Sequence, residues 1–225
     1  MADIEGIARK LYNIIISPDT VTGLINGGLS VPLDYGYLIY GIFDTDTRYE
    51  RETERIRMMT AIRHDILNYE NIVNAVKLIF QLFNKYLSES EQDRIYRSVV
   101  TSIVGRISTN IIASNIAKAV IEKKTSFTYV VFKGKGNPIA FLSTILLFGG
   151  MAERSIRTSD KLRNEEPEVY SLLRPRDYDL LYFLFADAVQ PFVDAIHAGY
   201  TEGNPVFDKI MKRVEDHLNT NAKAG

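Results

Sequence analysis

Apolar residues recur at helical spacing along most of this chain, and proline, glycine and capping signals divide the pattern into a series of helices. Ile4, Ile7, Ala8, Leu11, Ile14 and Ile15 form one face of a first short helix, which stops at Ser17-Pro18 because the residue before a proline is pushed out of the α region. Asp19 or Thr20 can cap a second brief helix ending at Gly27-Gly28, after which Ser30–Tyr37 reads as loop. Tyr37–Phe43 fits helix or strand, so 31–43 stays open between the two. Met59, Ile62, Ile66, Tyr69, Val73, Val76, Phe80, Phe83 and Leu87 then alternate in threes and fours, which predicts one continuous helix over Met59–Leu87 behind a solvated start, RYERETERIR.

Ser88-x-x-Glu91 is a capping box for the next helix, predicted to run to about Lys124. Thr125–Lys133 (TSFTYVVFK) switches to β-branched and aromatic residues and predicts a short strand, which would pair with part of 31–43 or stand as an extended loop. After the turn at 134–138 the apolar segment Ile139–Met151 continues as a helix into a charged stretch. Pro167 opens a short helix. Pro175 opens another, with Tyr178, Leu181, Tyr182, Leu184, Phe185, Val189, Phe192, Val193 and Ile196 on its buried face, a kink at Pro191 and Gly199 as its C-cap. Asn204-Pro205 begins the last helix, which should end near Leu218 and leave 218–225 frayed.

The helical segments within Ser102–Arg154 organise the rest. Gly105, Thr109, Ala113 and Ala117 place small side chains along one face and admit a close partner helix, while Ile139–Met151 carries no charge. A helix apolar on all sides belongs in a core, so the predicted fold is mostly α. It is a single-domain helical bundle over residues 1–225, of about seven to nine helices, with a central buried apolar helix pair and at most a minor β element near 125–133.

Composition narrows the chemistry. With 225 residues, 46% hydrophobic and 24% charged, the chain matches a globular protein. The formal net charge of −1 removes the electrostatic case for general nucleic-acid binding. The absence of cysteine excludes disulfides, thiolate nucleophiles and Cys-ligated zinc, and fits a reducing compartment. Acids in MADIEGIARKLYNIII, where a signal peptide carries only basic residues, point to a cytoplasmic protein. The segment Gly136–Ala152 is at or below spanning length and contains asparagine, proline, serine and threonine, so no membrane span is expected.

Candidate catalytic motifs fall short. Asp44-Thr-Asp46-Thr47 is similar to the aspartyl-phosphate motif, in which one carboxylate attacks phosphorus and a second works as acid/base, but Arg48 stands where that motif needs threonine. A polar loop capping the long helix is the simpler reading. Gly134-Lys-Gly136 lacks the spacing of a phosphate-binding loop. Arg63-His64-Asp65 lacks the upstream histidine that a His-Asp metallohydrolase requires. The run IRHDILN resembles the phosphoacceptor helix of sensor histidine kinases and phosphotransfer proteins, which would make His64 the acceptor, off the Ile62/Ile66 stripe. The simpler expectation is an exposed, dispensable His64. His197 and His217 sit near helix ends, where a cation suits the dipole. A Ser/His/Asp triad is assembled in space and stays open, but there is no Gly-x-Ser-x-Gly elbow. No cofactor and no metal is expected.

The helical runs NIIASNIAKAVIEKK and STILLFGGMAERSIRTSDKL are similar to helical immunity proteins that bacteria encode beside contact-dependent growth inhibition and related polymorphic toxins. That resemblance implies a non-enzymatic binding and inhibitory protein, whose partner is one cognate toxin domain, often a nuclease, blocked at its active site. It carries no motif, and so no family residues. The alternatives are histidine phosphotransfer through His64 and a helical enzyme with an unrecognised site. A nuclease cleft is basic, so the expected partner surface is the cluster Asp44, Asp46, Tyr49, Glu50, Glu52 and Glu54, with the aromatic stretch containing Phe127 and Tyr129 as the other candidate.

Overall fold

The computed structural model describes residues 2–25, 48–64, 66–97, 106–132 and 138–222, with backbone alone at 22, 48–51, 59, 62–63, 96–97, 106–108, 123–132, 138–149 and 221–222. Among the described residues there are ten α-helices and no strand: α1 (Ile4–Ile16), α2 (Thr20–Leu24), α3 (Arg48–Arg63), α4 (Tyr69–Lys85), α5 (Glu89–Arg97), α6 (Arg106–Phe132), α7 (Pro138–Glu165), α8 (Pro167–Leu173), α9 (Ala186–Glu202) and α10 (Asn204–Ala222). Three short 3-10 turns, at 174–176, 178–180 and 182–184, join α8 to α9. The fold is a helical bundle, with slightly more helices than the predicted seven to nine.

Local signals account for several boundaries. The Asp3 carboxylate accepts from the Gly6 amide and starts α1. Ser88 and Glu91 close the predicted capping box reciprocally: Ser88 N–H donates to Glu91 Oε2 at 2.8 Å, and Glu91 N–H donates to Ser88 Oγ at 3.3 Å. Pro167 occupies the first turn of α8 as expected.

Four expectations are corrected. The stripe over Met59–Leu87 does not belong to one helix: α3 ends at Arg63 and α4 begins at Tyr69, where Asn68 takes an extended conformation and its side chain accepts from the Asn71 amide at 2.8 Å. The apolar spacing runs on through the break because Ile66 is buried from within the turn. The stretch predicted as strand, 125–133, is helical through Phe132: α6 extends over it, and β-branched content there yields to the surrounding helix. Gly199 is not a C-cap. α9 continues to Glu202, and the stop is Gly203, at φ 92°, a conformation side-chain-bearing residues avoid. Finally, α10 reaches Ala222, so the helix extends through residues expected to fray.

The segment predicted as one helix from Pro175 is also different. Residues 174–184 form successive 3-10 turns closed by i→i+3 bonds, such as Asp177 N–H to the Arg174 carbonyl and Leu184 N–H to the Leu181 carbonyl. Residues 178–185 are all buried, so no solvent face exists for an amphipathic helix to present. The helix resumes at Ala186 and passes through Pro191.

The α4 helix lies at the centre, packed on α6, α8 and α9, while α9 also meets α1 and α10. Small residues serve the α6 contact, with Ala113 and Ala117 fully buried; Gly105 lies outside the described residues. Phe80, Phe83, Phe192 and Phe207 interlock where α4, α9 and α10 meet. α1 lies along α10, and α3 lies along α7. The burial expected for Ile139–Met151 falls on backbone-only residues up to 149, as does half of the predicted apolar pair.

Candidate functional site

Charge pattern along α3 decides how the helix is held. Glu54, Arg57, Met58 and Ala61 follow i, i+3, i+4, i+7 spacing and so share one face, which turns inward. The last two are apolar and buried. The first two belong to an ion cluster reaching the 3-10 turns more than a hundred positions later.

Arg57 stands at its centre. Its Nη2 donates to Asp179 Oδ2 at 2.6 Å and its Nη1 to Asp179 Oδ1 at 2.9 Å, the two-pronged geometry a planar guanidinium offers a carboxylate. The same side chain donates from Nη1 to Asp177 Oδ1 at 2.8 Å and from Nε to Glu54 Oε2 at 2.9 Å. Arg174 grips Glu54 from the other side, Nη2 to Oε1 at 2.8 Å and Nη1 to Oε2 at 3.1 Å. Ser159 of α7 donates from Oγ to Asp179 Oδ2 at 2.5 Å. The Asp179 side chain is 0% exposed, and those of Arg57 and Glu54 are 16% and 17% exposed. Asp177 adopts φ 57°, ψ 15°, a left-handed conformation that aspartate tolerates better than most residues, and its carboxylate reaches Arg57.

Burial pushes the Asp179 carboxyl up, but hydrogen bonds from Arg57 and Ser159 and the charges of Arg57 and Arg174 outweigh it, leaving its pKa below the usual value. Burial likewise opposes Glu54, and its bonds to Arg174 and Arg57 prevail, so its pKa is also lowered. On Arg57, desolvation is overcome by Asp179, Asp177 and Glu54, and its pKa is raised. These groups are therefore ionised together at neutral pH, and none is poised to exchange protons there. A second cluster lies alongside: the buried Glu153 of α7 takes Arg55 of α3 at 3.1 Å and Arg157 at 2.9 Å. Ser155 donates to the Leu180 carbonyl at 2.7 Å and draws the turns onto α7.

With its inner face moored, α3 presents Glu52, Thr53, Ile56 and Thr60 outward. Ile56 is 60% exposed, the most of any large hydrophobic side chain among the described residues. Of the described part of the acidic surface expected from sequence, the structure draws Glu54 alone inward. Glu54 is bound internally and is no longer a free carboxylate; Glu52 is exposed; Asp44 and Asp46 lie outside the described residues. Tyr49 and Glu50 fall in the first turn of α3, and Phe127 and Tyr129 near the end of α6, where only backbone is described. Sequence reasoning missed Arg57, Arg174, Asp177, Asp179 and Ile56. One signal was present: Asp179 is a lone carboxylate inside the apolar run YDLLYFLF, and a buried charge requires a partner.

His64 is exposed in the turn after α3, with Nδ1–H donating to the Thr60 carbonyl at 2.8 Å, which leaves the lone pair on Nε2. The dipole account of the other histidines is incomplete, because each faces a carboxylate: His197 Nδ1 meets Glu166 at 2.9 Å, and His217 Nε2 meets Glu5 at 3.1 Å. Burial raises the Glu166 pKa above its ordinary value despite the opposing pull of His197, and the pair ties the start of α8 to α9. Among the described residues, no group of three or more His, Asp or Glu side chains is arranged to hold a metal ion, and no helix is long and apolar enough to cross a membrane. No protein-family model, no curated protein and no solved structure matches the chain.

Proposed function

We propose that this chain is a binding and inhibitory protein of the immunity type, which neutralises a cognate toxin domain by seating the outer face of α3 on it. The observation that carries this reading is the contrast between the two faces of that helix. Its inner face is fixed by buried ion pairs, while its outer face offers a 60%-exposed isoleucine beside Glu52. A helix held rigid before binding loses little conformational freedom on association, and an exposed apolar anchor with acidic neighbours suits a basic, phosphate-holding cleft.

The test pairs the full chain with candidate toxin domains encoded near its gene. Asp44, Asp46, Glu50 and Glu52 are changed together to lysine, with and without Ile56→Arg. Low-salt association should fall by about tenfold or more from the charge reversal and further with Ile56→Arg, and protection of toxin-expressing cells should be lost. Unchanged association at low salt would move recognition to the stretch containing Phe127 and Tyr129. Failure of the wild-type chain to protect would reject the immunity reading.

A second reading, histidine phosphotransfer, is favoured by the unmasked Nε2 of His64. The same assay separates it. Under the binding reading His64→Gln still protects, whereas loss of function with unchanged stability would place the chemistry on His64.

A further inference from the structure

Away from α3, a cleft of about 470 Å³ opens between α4, α5 and α6. Lys77, Gln81 and Lys85 line it from α4 at i, i+4 and i+8, which puts all three on one side of the helix over a rise of about 12 Å. The described residues that line it include two lysines and no carboxylate. An anion is drawn to such a cleft, since the low-dielectric walls focus the field of the lysines.

The remaining walls are amides, a hydroxyl and the Phe80 ring. Gln92 of α5 donates from Nε2 to the carbonyls of Asn84 and Leu87, at 3.0 and 3.2 Å. Both amide hydrogens are thereby committed, the side chain is held in one orientation, and its Oε1 is left as an acceptor. Asn110 of α6 brings an exposed amide, with Thr109 beside it. Ammonium groups alone would suit any small anion. Ammonium groups facing amides that both donate and accept suit an anion joined to a body with its own hydroxyls or ring nitrogens, and the volume is in the range of small-molecule sites.

We propose that this cleft binds a small organic phosphate, of sugar-phosphate or nucleoside-monophosphate size, with the phosphate held by Lys77 and Lys85 and the polar body by Gln81, Gln92 and Asn110. The site is on a different face-forming set of helices from α3 and stands or falls without the immunity reading. It is tested by calorimetric titration of the full chain at low ionic strength with three probes: adenosine monophosphate, glucose 6-phosphate and inorganic phosphate.

At least one organic phosphate should bind about tenfold or more tightly than inorganic phosphate. The double variant Lys77→Gln/Lys85→Gln should weaken it by about tenfold or more, and Lys77→Arg/Lys85→Arg should keep most of the affinity. The preference between the two organic probes identifies the body. Circular dichroism and melting temperature check that the variants, both on solvent-accessible positions, remain folded. Equal binding of inorganic phosphate, full affinity in a folded glutamine double variant, or no binding of either organic phosphate at millimolar concentration would each overturn the proposal.

Discussion

Two junctions of this molecule hold helices together by different physics. Where α4, α9 and α10 meet, the contacts are rings: Phe192 lies 4.7 Å from Phe80 and 5.2 Å from Phe83, both edge-on, and Phe83 lies 5.3 Å from Phe207. Where α3 and α7 meet the 3-10 turns, the contacts are charges, with Arg57 shared among Asp179, Asp177 and Glu54. Apolar burial is non-directional, and the edge-on preference of the rings adds only about 0.5–1.5 kcal/mol per pair. Charge-assisted hydrogen bonds are directional, and they fix the rotation of α3 about its own axis, so that Ile56 and Glu52 face outward together. The aromatic junction supplies stability without specifying a surface. The ionic junction specifies a surface, and it depends on every partner being present.

The largest expected effects fall on both junctions and differ in how they respond to pH. Phe192→Ala and Asp179→Ala should each cost about 3–5 kcal/mol in urea unfolding at neutral pH, the first through a cavity and the second because Arg57 loses its two-pronged, fully buried partner and keeps only Asp177 and Glu54, while Ser159 loses its acceptor. Asp179 and Glu54 have folded pKa values below their ordinary 3.8 and 4.5. Their contribution is therefore complete above those values and drains away as pH falls through the lower folded ones. The cost of Asp179→Ala should shrink over that acid range while that of Phe192→Ala holds. Parallel pH profiles for the two variants would break the contrast.

Gly199→Ala sharpens the aromatic side. An alanine inside a helix ordinarily gains about 1 kcal/mol over glycine. Here the added Cβ would lie 2.9 Å from Tyr86 Cε1. The Tyr86 ring cannot easily yield, being stacked on Phe207 at 5.0 Å with its hydroxyl donating to Glu168 at 2.8 Å, so a net loss of about 1–2 kcal/mol is expected. A higher melting temperature would show that Tyr86 moves and that ring packing there is loose. The smallest effect belongs to neither junction: Ser88→Ala should cost about 1 kcal/mol through the exposed capping box, with no change in pH profile above the acid range.

How far these features could be read in advance depends on how local they are. The α1 stripe, the Ser88/Glu91 box, the Pro167 start and the Asn204-Pro205 start are set by neighbours within four residues, and each is found where the spacing predicts it. The break at 64–68 was hidden because a three-four alternation reads the same through a turn whose isoleucine is buried as through a helix. The 125–133 stretch misled because β propensity depends on context, and the context is a 27-residue helix. Gly199 was mistaken for a stop because glycine has two uses, and only the tertiary neighbour Tyr86 distinguishes them. The site was least legible. Glu54 looked like one more acid in a solvated run, since the arginine holding it from outside its own helix, Arg174, is 120 positions away. No periodicity links those two positions.

The pairing of α1 with α10 bears on how the chain reaches its fold. The hydrogen-bond contact between Glu5 and His217 joins positions 212 apart, and the same two helices pack along one another. During synthesis α1 emerges long before its partner. Through that interval Ile7, Leu11, Ile14 and Ile15, all buried in the finished bundle, lack the α10 half of their cover. Closing so long a loop is slow relative to forming the neighbouring contacts within 167–222. The contact of α1 with α10 has to wait until residues 204–222 are made, and until then that side of the first helix is open to a chaperone or a stray second copy.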